Sequence, residues 1–206
     1  MRFVTMGVGA QNSPRYAPAG LLAARRRIRI AIDGGLTAVP QGRISAWLVT
    51  DESAELIRDI RNQARDRGVE PHTGSFQRNG LRVERHPVVH TNHPTYGYTI
   101  EADGRRAVWA PEFIEFPTWA AGADLMFAEA AGWNRPILFR GGVGGHLDAL
   151  TVAREAKALK VRRLVFAHIG RPTIRALDAG ETPGFGEFAR DGQIFLLQGS
   201  RSRRPR

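Results

Sequence analysis

The sequence predicts a mixed α/β (α+β) fold. Predicted strands dominate the first half of the chain, whereas helices and strands alternate in the second half, as a sandwich of two mixed sheets requires. The predicted strands are residues 2–6, 21–24, 28–32, 46–49, 81–89, 96–100, 106–110, 124–129, 163–167 and 193–197. A chain of 206 residues is long enough for one sizeable domain and short for two. We therefore expect a single domain over residues 1–198 and a basic, disordered tail over residues 199–206.

Composition limits the classes of function. The chain has no cysteine, so any metal must be held by His, Asp, Glu or water. It has no apolar run near the roughly 18–20 residues that span a bilayer and no signal-peptide pattern, so we expect a cytoplasmic protein without a membrane partner. The net charge is +10, and 28 of the 30 basic residues are arginine. This charge favours an anionic partner, nucleic acid included, or reflects genomic base composition. The composition and charge are also compatible with a homo-oligomer.

The stretch from residue 141 to 171 carries the most informative pattern. A glycine-rich turn precedes His146, apolar residues then recur at spacings of three along a predicted helix, and the strand at 163–167 ends at His168. A helix that feeds a strand, with an imidazole at the mouth of each, can direct both rings into one crevice. The alternative is that both histidines are hydrogen-bonded core or rim residues. The glycine turn predicts an anion site at the helix N-terminus, but it lacks the Lys-Ser/Thr of a P-loop.

These residues resemble metallo-β-lactamase-fold hydrolases, especially the branch of ribonuclease Z and related phosphodiesterases. One similar segment is His146 with the predicted helix after it and the sequence LVFAHIG near the end of the chain. The other lies at the start of the chain, where a strand is followed by GVGA, a loop containing SP, two more strands and IDGG. The resemblance implies the four-layer αβ/βα sandwich of that superfamily. It implies that His168 is a metal ligand and that His146 is catalytic, while Asp33 is a structural residue near the site. We expect Arg171 to meet an anionic substrate, with an ordinary salt pair as the alternative.

A second similar segment is VVHTNHPTYGYTIEADGRRAVWAPEF. In it His90 falls on a family metal ligand, and Glu112 falls on or next to an aspartate that bridges two metals. Glu115 lies close enough to compete with Glu112 for that role. His93 matches no required family position, and either lines the pocket or rigidifies its loop together with Pro94.

The largest departure from the family follows the strand at 46–49. The family has a His-x-His-x-Asp-His cluster there, whereas this chain has Asp51, Ser53, Glu55 and Leu56 at the four positions. One interpretation makes Asp51 and Glu55 replacement ligands on one face of a helix, with oxygen donors that favour Mn, Mg or Fe over Zn. The other makes Thr50 or Asp51 the N-cap of a helix that runs to about Arg67.

The resemblance implies a metal-dependent hydrolase of a phosphodiester or other ester. The missing histidines lead us to expect one divalent ion (Zn, Mn or Fe) rather than two. The expected ligands are His90, Glu112 and His168, with Asp51 or Glu55 as additional ligands. The expected substrate is a small-molecule or nucleotide-like anion. The alternative is a non-catalytic relative that binds a ligand or partner, which the missing histidine cluster favours. A nucleic-acid-binding function rests on charge alone.

Overall fold

Two mixed β-sheets form the centre of the fold, as the sequence predicts. The structure is a computed structural model, and it describes residues 1–198. The strands are β1 (Arg2–Gly7), β2 (Gly20–Arg25), β3 (Ile28–Asp33), β4 (Ala46–Leu48), β5 (Pro71–His72), β6 (Phe76–Arg78), β7 (Leu81–Val88), β8 (Thr95–Ala102), β9 (Arg105–Ala110), β10 (Leu125–Ala130), β11 (Ile137–Leu138), β12 (Gly145–His146), β13 (Leu164–Ile169), β14 (Glu187–Phe188) and β15 (Ile194–Leu196). The α-helices are α1 (Ile57–Arg65), α2 (Ala149–Ala158) and α3 (Arg171–Asp178). The tail expected at residues 199–206 lies outside the described residues.

The first sheet has six strands in the order β15-β1-β2-β3-β4-β5, and the second has seven in the order β14-β13-β10-β9-β8-β7-β6. In the second sheet, β7 to β9 are joined by antiparallel pairings, whereas β9, β10 and β13 pair in parallel. Strand β7 therefore runs in the same direction as β9, β10 and β13. Because strands that run in one direction end at the same edge, the segments after these four strands meet at one edge of the sheet.

The two sheets pack face to face, and helices cover their outer faces. Alternate residues of β2 and β3 point to opposite sides, as the two-residue period of a strand requires. Leu21 and Ile30 lie in the core between the sheets, where Phe3 contacts Phe127 with ring centroids 5.9 Å apart. Leu22 lies on the other face, in a cluster with Ile57, Ile60 and Ala64 of α1. Helix α2 contacts β10 and β13 of the second sheet. The layers are thus helix, sheet, sheet and helix, as expected.

Several elements differ from the sequence-based expectations. The helix expected from about residue 50 to Arg67 spans only Ile57–Arg65, and its N-cap is Leu56, without a side-chain capping bond. Residues 70–80, which lie outside the predicted strands, contain the short strands β5 and β6, and His72 is exposed there. Helix α3 was not predicted from the sequence. Among residues 1–198, no helix is long and apolar enough to cross a membrane.

Candidate active site

Four ionisable side chains gather where β7, β9, β10 and β13 end. His90 follows β7, Glu112 follows β9, Glu129 is the penultimate residue of β10, and His168 is the penultimate residue of β13. The shared direction of these strands brings the four together at one sheet edge, although they are far apart in sequence. Ligand and active sites of sheets with parallel strands form preferentially outside such carboxyl ends.

Glu112 links the two histidines that the sequence predicts as metal ligands. Its Oε2 lies 3.1 Å from Nε2 of His90, and its Oε1 lies 2.9 Å from Nε2 of His168. Burial alone would raise the pKa of Glu112, but the facing His168 and His90 imidazoles hold it well below its ordinary value. The Glu112 side chain retains 27% exposure, so it faces the cavity while the two rings are almost fully enclosed. Glu115, the sequence-based competitor for this role, is exposed.

Glu129 holds a second pair of histidines from behind the site. Its Oε1 accepts hydrogen bonds from the Ala131 N–H (2.8 Å) and from Nδ1 of His168 (3.1 Å). Its Oε2 accepts from the Phe113 N–H (3.2 Å) and from Nδ1 of His146 (2.8 Å). The side chain is 0% exposed. Burial opposes ionisation, yet the two imidazoles lower the pKa of Glu129 to about 2, so this carboxylate is charged at neutral pH.

His168 lies between the two carboxylates. Burial would lower its pKa, but Glu112 and Glu129 raise it to about 10, because each ring nitrogen faces a carboxylate oxygen. Its backbone has a φ of 56°, in the left-handed region that non-glycine residues rarely adopt. The register between β10 and β13 shifts at the same level, between Ala128 and Ala130. Such strained backbone is concentrated at functional sites, where the surrounding structure must hold it.

His146 reaches the site from a hairpin rather than from a helix. The sequence-based expectation that it opens the helix is wrong, because it lies in β12, and α2 begins only at Ala149. Asp148 caps that helix by accepting the Thr151 N–H, so the glycine-rich turn does not form the helix N-terminus as expected. The glycines instead form the turn between β11 and β12. At Gly144 (φ 133°) a Cβ atom would lie 1.9 Å from the His90 carbonyl oxygen, so only glycine lets the hairpin approach His90.

The ring orientations of His90 and His168 are compatible with metal binding. Nδ1 of His90 faces the Gly145 carbonyl oxygen at 3.0 Å, Nδ1 of His168 faces Glu129, and both Nε2 atoms point to Glu112. Metal-binding histidines almost always donate their other N–H to a carboxylate or a backbone carbonyl. His90, Glu112 and His168 are therefore donors of the types that bind a divalent ion, with Glu112 between the two rings. Ligand atoms of Glu129, His146 and His168 also lie within 4.8 Å of one another. Glu129 already accepts four hydrogen bonds in this cluster, so we interpret it as support for the two rings.

Asp33 lies below the same pocket. Its Oδ1 accepts from the backbone N–H (2.7 Å) and the hydroxyl (3.0 Å) of Thr50, and its Oδ2 accepts from the Trp109 indole N–H (2.7 Å). Burial raises its pKa to about 7 despite these donors, and the negative charge of Glu112 adds to the shift. Asp33 is the last residue of β3 in the first sheet, and its bond to Trp109 of β9 connects the end of β3 to the second sheet. This agrees with the structural role expected for Asp33.

The segment that replaces the family histidine cluster is not helical at Asp51. Asp51 lies before α1, so the expectation that it shares a helix face with Glu55 is wrong, and so is the alternative in which Thr50 or Asp51 caps the helix. Asp51 is buried, and its two oxygens accept from the Ser53 N–H (2.7 Å) and from Nε2 of His93 (2.7 Å). Glu55 is exposed at the rim of the pocket.

One open cavity of about 660 Å³ is lined by His90, Glu112, His146 and His168, whereas Glu129 lies behind them; the cavity is large enough for a small organic anion. Its polar lining includes Asp51, His93, Glu112 and Arg171. Arg171, the first residue of α3, has no ion pair with any residue in the range 1–198. Its apolar lining includes Leu56, Ile60, Ile137 and Phe139, and Phe139 packs edge-on against His90 and His146.

Comparisons with known proteins agree with this architecture. The model of a beta-lactamase superfamily domain matches residues 22–169, more than half of the chain. A diphosphatase from the PhnP family has a TM-score of 0.71 at 18% identity, over 95% of this chain and 97% of that one. Zn²⁺-bound PqqB from Methylobacterium extorquens has a TM-score of 0.70 at 16% identity, over 96% and 100% of the two chains. The short form of human tRNase Z has a TM-score of 0.70 at 14% identity, also over 96% and 100%.

At these identities the likeness to solved structures establishes the fold alone. No curated protein sequence matches the chain. The family match covers the segment from β2 to the end of β13 and includes every residue of the four-residue cluster at the sheet edge. The chain therefore belongs to the beta-lactamase superfamily and has the metallo-β-lactamase fold.

Proposed function

We propose that this protein is a metal-dependent hydrolase that acts on a phosphodiester or another ester through a single divalent ion. The observation that carries the proposal is the orientation of His90 and His168. Each donates Nδ1–H to a fixed acceptor and turns Nε2 toward Glu112 at the cavity wall. Imidazole and carboxylate donors of this kind suit Zn, Mn or Fe.

A single ion follows from the residues around Asp51. Leu56, at one of the family's histidine positions, offers no donor atom, and both oxygens of Asp51 already accept hydrogen bonds. We therefore leave Asp51 out of the proposed ligand set of His90, Glu112 and His168. Glu55 as an additional ligand stays a prediction. When bound, the ion supplies a Lewis acid that polarises the scissile group and lowers the pKa of a water molecule.

His146 and Arg171 are the proposed proton donor and the proposed substrate-binding cation. The Nδ1–H of His146 is fixed by Glu129, and among the described residues its Nε2 has no hydrogen-bond partner. His146 lines the cavity, so it is placed to give a proton from Nε2 to the leaving oxygen. Arg171 is the cation that orients the anionic part of a small-molecule or nucleotide-like substrate. The diphosphatase and the tRNase Z among the solved structures have substrates of this chemistry and support the choice.

The test is hydrolysis of bis(4-nitrophenyl) phosphate and 4-nitrophenyl acetate by protein stripped with chelator and supplied with Zn, Mn or Fe in turn. We expect activity that depends on the added metal and falls roughly 100-fold or more in Glu112→Gln. The matched control is Glu115→Gln, an exposed glutamate three residues away, which should stay within about twofold of the wild type. Metal binding without hydrolysis of either ester would instead favour the non-catalytic alternative.

A further inference from the structure

A further imidazole–carboxylate pair lies in the cavity, apart from the cluster at the ends of β7, β9, β10 and β13. Nε2 of His93 lies 2.7 Å from Oδ2 of Asp51, and both residues line the cavity. The Asp51 side chain is 8% exposed, whereas that of His93 is 35% exposed. The carboxylate is therefore enclosed, and the imidazole is the member that solvent or a substrate can reach.

The backbone holds the two partners together from different sheets. Asp51 follows β4 of the first sheet, and His93 precedes β8 of the second. The Tyr96 N–H donates to the Thr50 carbonyl oxygen at 2.9 Å, and the Tyr98 hydroxyl donates to the Val49 carbonyl oxygen at 2.7 Å. These two bonds tie the end of β4 to the start of β8. The pair is thus a fixed feature at the junction of the sheets rather than a chance surface contact.

The hydrogen bonds also set the tautomer of His93. Oδ1 of Asp51 accepts the Ser53 N–H at 2.7 Å, which fixes the carboxylate and leaves Oδ2 for the ring. A carboxylate can only accept, so Nε2 of His93 carries the hydrogen and, in the neutral ring, Nδ1 carries the lone pair. Among residues 1–198, Nδ1 of His93 has no hydrogen-bond partner. An imidazole oriented by a buried carboxylate, with its second nitrogen open to a cavity, is arranged as a general base.

We propose that His93 is the general base of this hydrolase and that Asp51 is its positioning residue; this inference rests on the proposed function. The oxygen of the attacking water forms the new bond to phosphorus or to the acyl carbon, and a water proton moves to Nδ1 of His93. The bond to the leaving oxygen breaks, and that oxygen takes a proton from Nε2 of His146. One water is consumed, one acid and one alcohol are formed, and solvent returns the proton from His93 to His146.

The arrangement divides the two proton transfers between two carboxylate-supported histidines. Glu129 supports His146 and Asp51 supports His93, so the acid and the base belong to separate hydrogen-bonded pairs. Asp51 stands at the position of the first histidine of the family cluster. By the resemblance, the pair thus lies where the family has part of its histidine cluster.

The experiment compares wild type, His93→Gln and Asp51→Asn with bis(4-nitrophenyl) phosphate as the probe. Glutamine can still donate to Asp51 but has no basic nitrogen. We expect kcat of His93→Gln to fall about 10²-fold or more with KM and metal content unchanged, and added imidazole to restore part of the rate. His72→Gln is the matched control, because His72 is exposed outside the cavity, and it should keep the wild-type rate.

A nitrogen NMR measurement on the wild type tests the base without any substrate. We expect neutral His93 to carry its hydrogen on Nε2, and Asp51→Asn to lower kcat and to abolish that tautomer preference. A hydrogen on Nδ1 in the wild type, or an undiminished kcat in His93→Gln while Glu112→Gln is inactive, would overturn the assignment of His93 alone. A wild type without metal-dependent hydrolysis would overturn the proposed function and this inference with it.

Discussion

Glu129 is the residue whose replacement should disturb the site most for the smallest change in volume. Each of its oxygens accepts one backbone N–H and one imidazole N–H, and the side chain is 0% exposed. In Glu129→Gln the amide nitrogen cannot accept, so one buried backbone N–H loses its partner, at a cost of about 1–3 kcal/mol. One imidazole exchanges an ionised partner for a neutral one, and the other faces the amide nitrogen and loses its acceptor, which together cost about 2 kcal/mol. The sum is about 3–5 kcal/mol, the range measured when one member of a buried charged network is removed.

Urea unfolding at pH 7 in the presence of chelator measures this loss directly. Glu187→Gln is the matched control, because Glu187 forms a 2.6 Å ion pair with Arg163 in which both side chains are about half exposed. Surface pairs of this kind contribute at most about 1 kcal/mol, so this variant should unfold close to the wild type. A Glu129→Gln variant that loses less than about 1 kcal/mol would show that the carboxylate does not organise the two histidines.

Two further predictions concern the same network. Because of His168 and Glu129, chelator-stripped protein should lose stability as pH rises above about 6.5 and as pH falls below about 4.5. The pKa of His168 is raised from 6.5 to about 10, so its contribution to the free energy of unfolding is complete below pH 6.5 and is lost as pH rises to 10. The pKa of Glu129 is lowered from 4.5 to about 2, so its contribution is lost as pH falls from 4.5 to 2. Urea midpoints that stay flat from pH 6.5 to 10 would contradict this. Gly144→Ala should weaken both stability and metal retention, because its Cβ would meet the His90 carbonyl, whereas Gly141→Ala, also at positive φ but in open space, should cost only about 1–2 kcal/mol. Equal effects of the two substitutions in urea unfolding would refute the role given to Gly144.

His90, Glu112 and His168 each lie at or just beyond the end of a strand that the sequence predicts. The strand before His90 alternates apolar and polar residues, and the strand before Glu112 follows a turn at Asp103-Gly104. The strand before His168 is a short apolar run. These patterns indicate where the three strands end. The family resemblance supplied the roles. The structure confirms the layered fold, and it brings His90, Glu112 and His168 together as expected.

Contacts between distant segments could not be predicted in the same way. Glu129 is the last residue of the strand predicted at 124–129, and nothing local shows that its two oxygens would face histidines 17 and 39 residues away. The pairing of Asp51 with His93 depends on how two sheets meet. The helix predicted after His146 is present as α2, but it begins only at Ala149. Apolar spacing does not reveal that the chain first completes the hairpin that contains His146.

The central claim is that Glu112, with His90 and His168, holds one divalent ion. The most direct test is elemental analysis of protein purified without chelator and without a histidine tag, alongside Glu112→Gln and Glu115→Gln. We predict about one Zn, Mn or Fe per chain in the wild type and in Glu115→Gln, and none in Glu112→Gln, because the carboxylate between the two rings is lost. A wild type that retains no metal after incubation with each ion, or a Glu112→Gln variant that retains it in full, would contradict the claim.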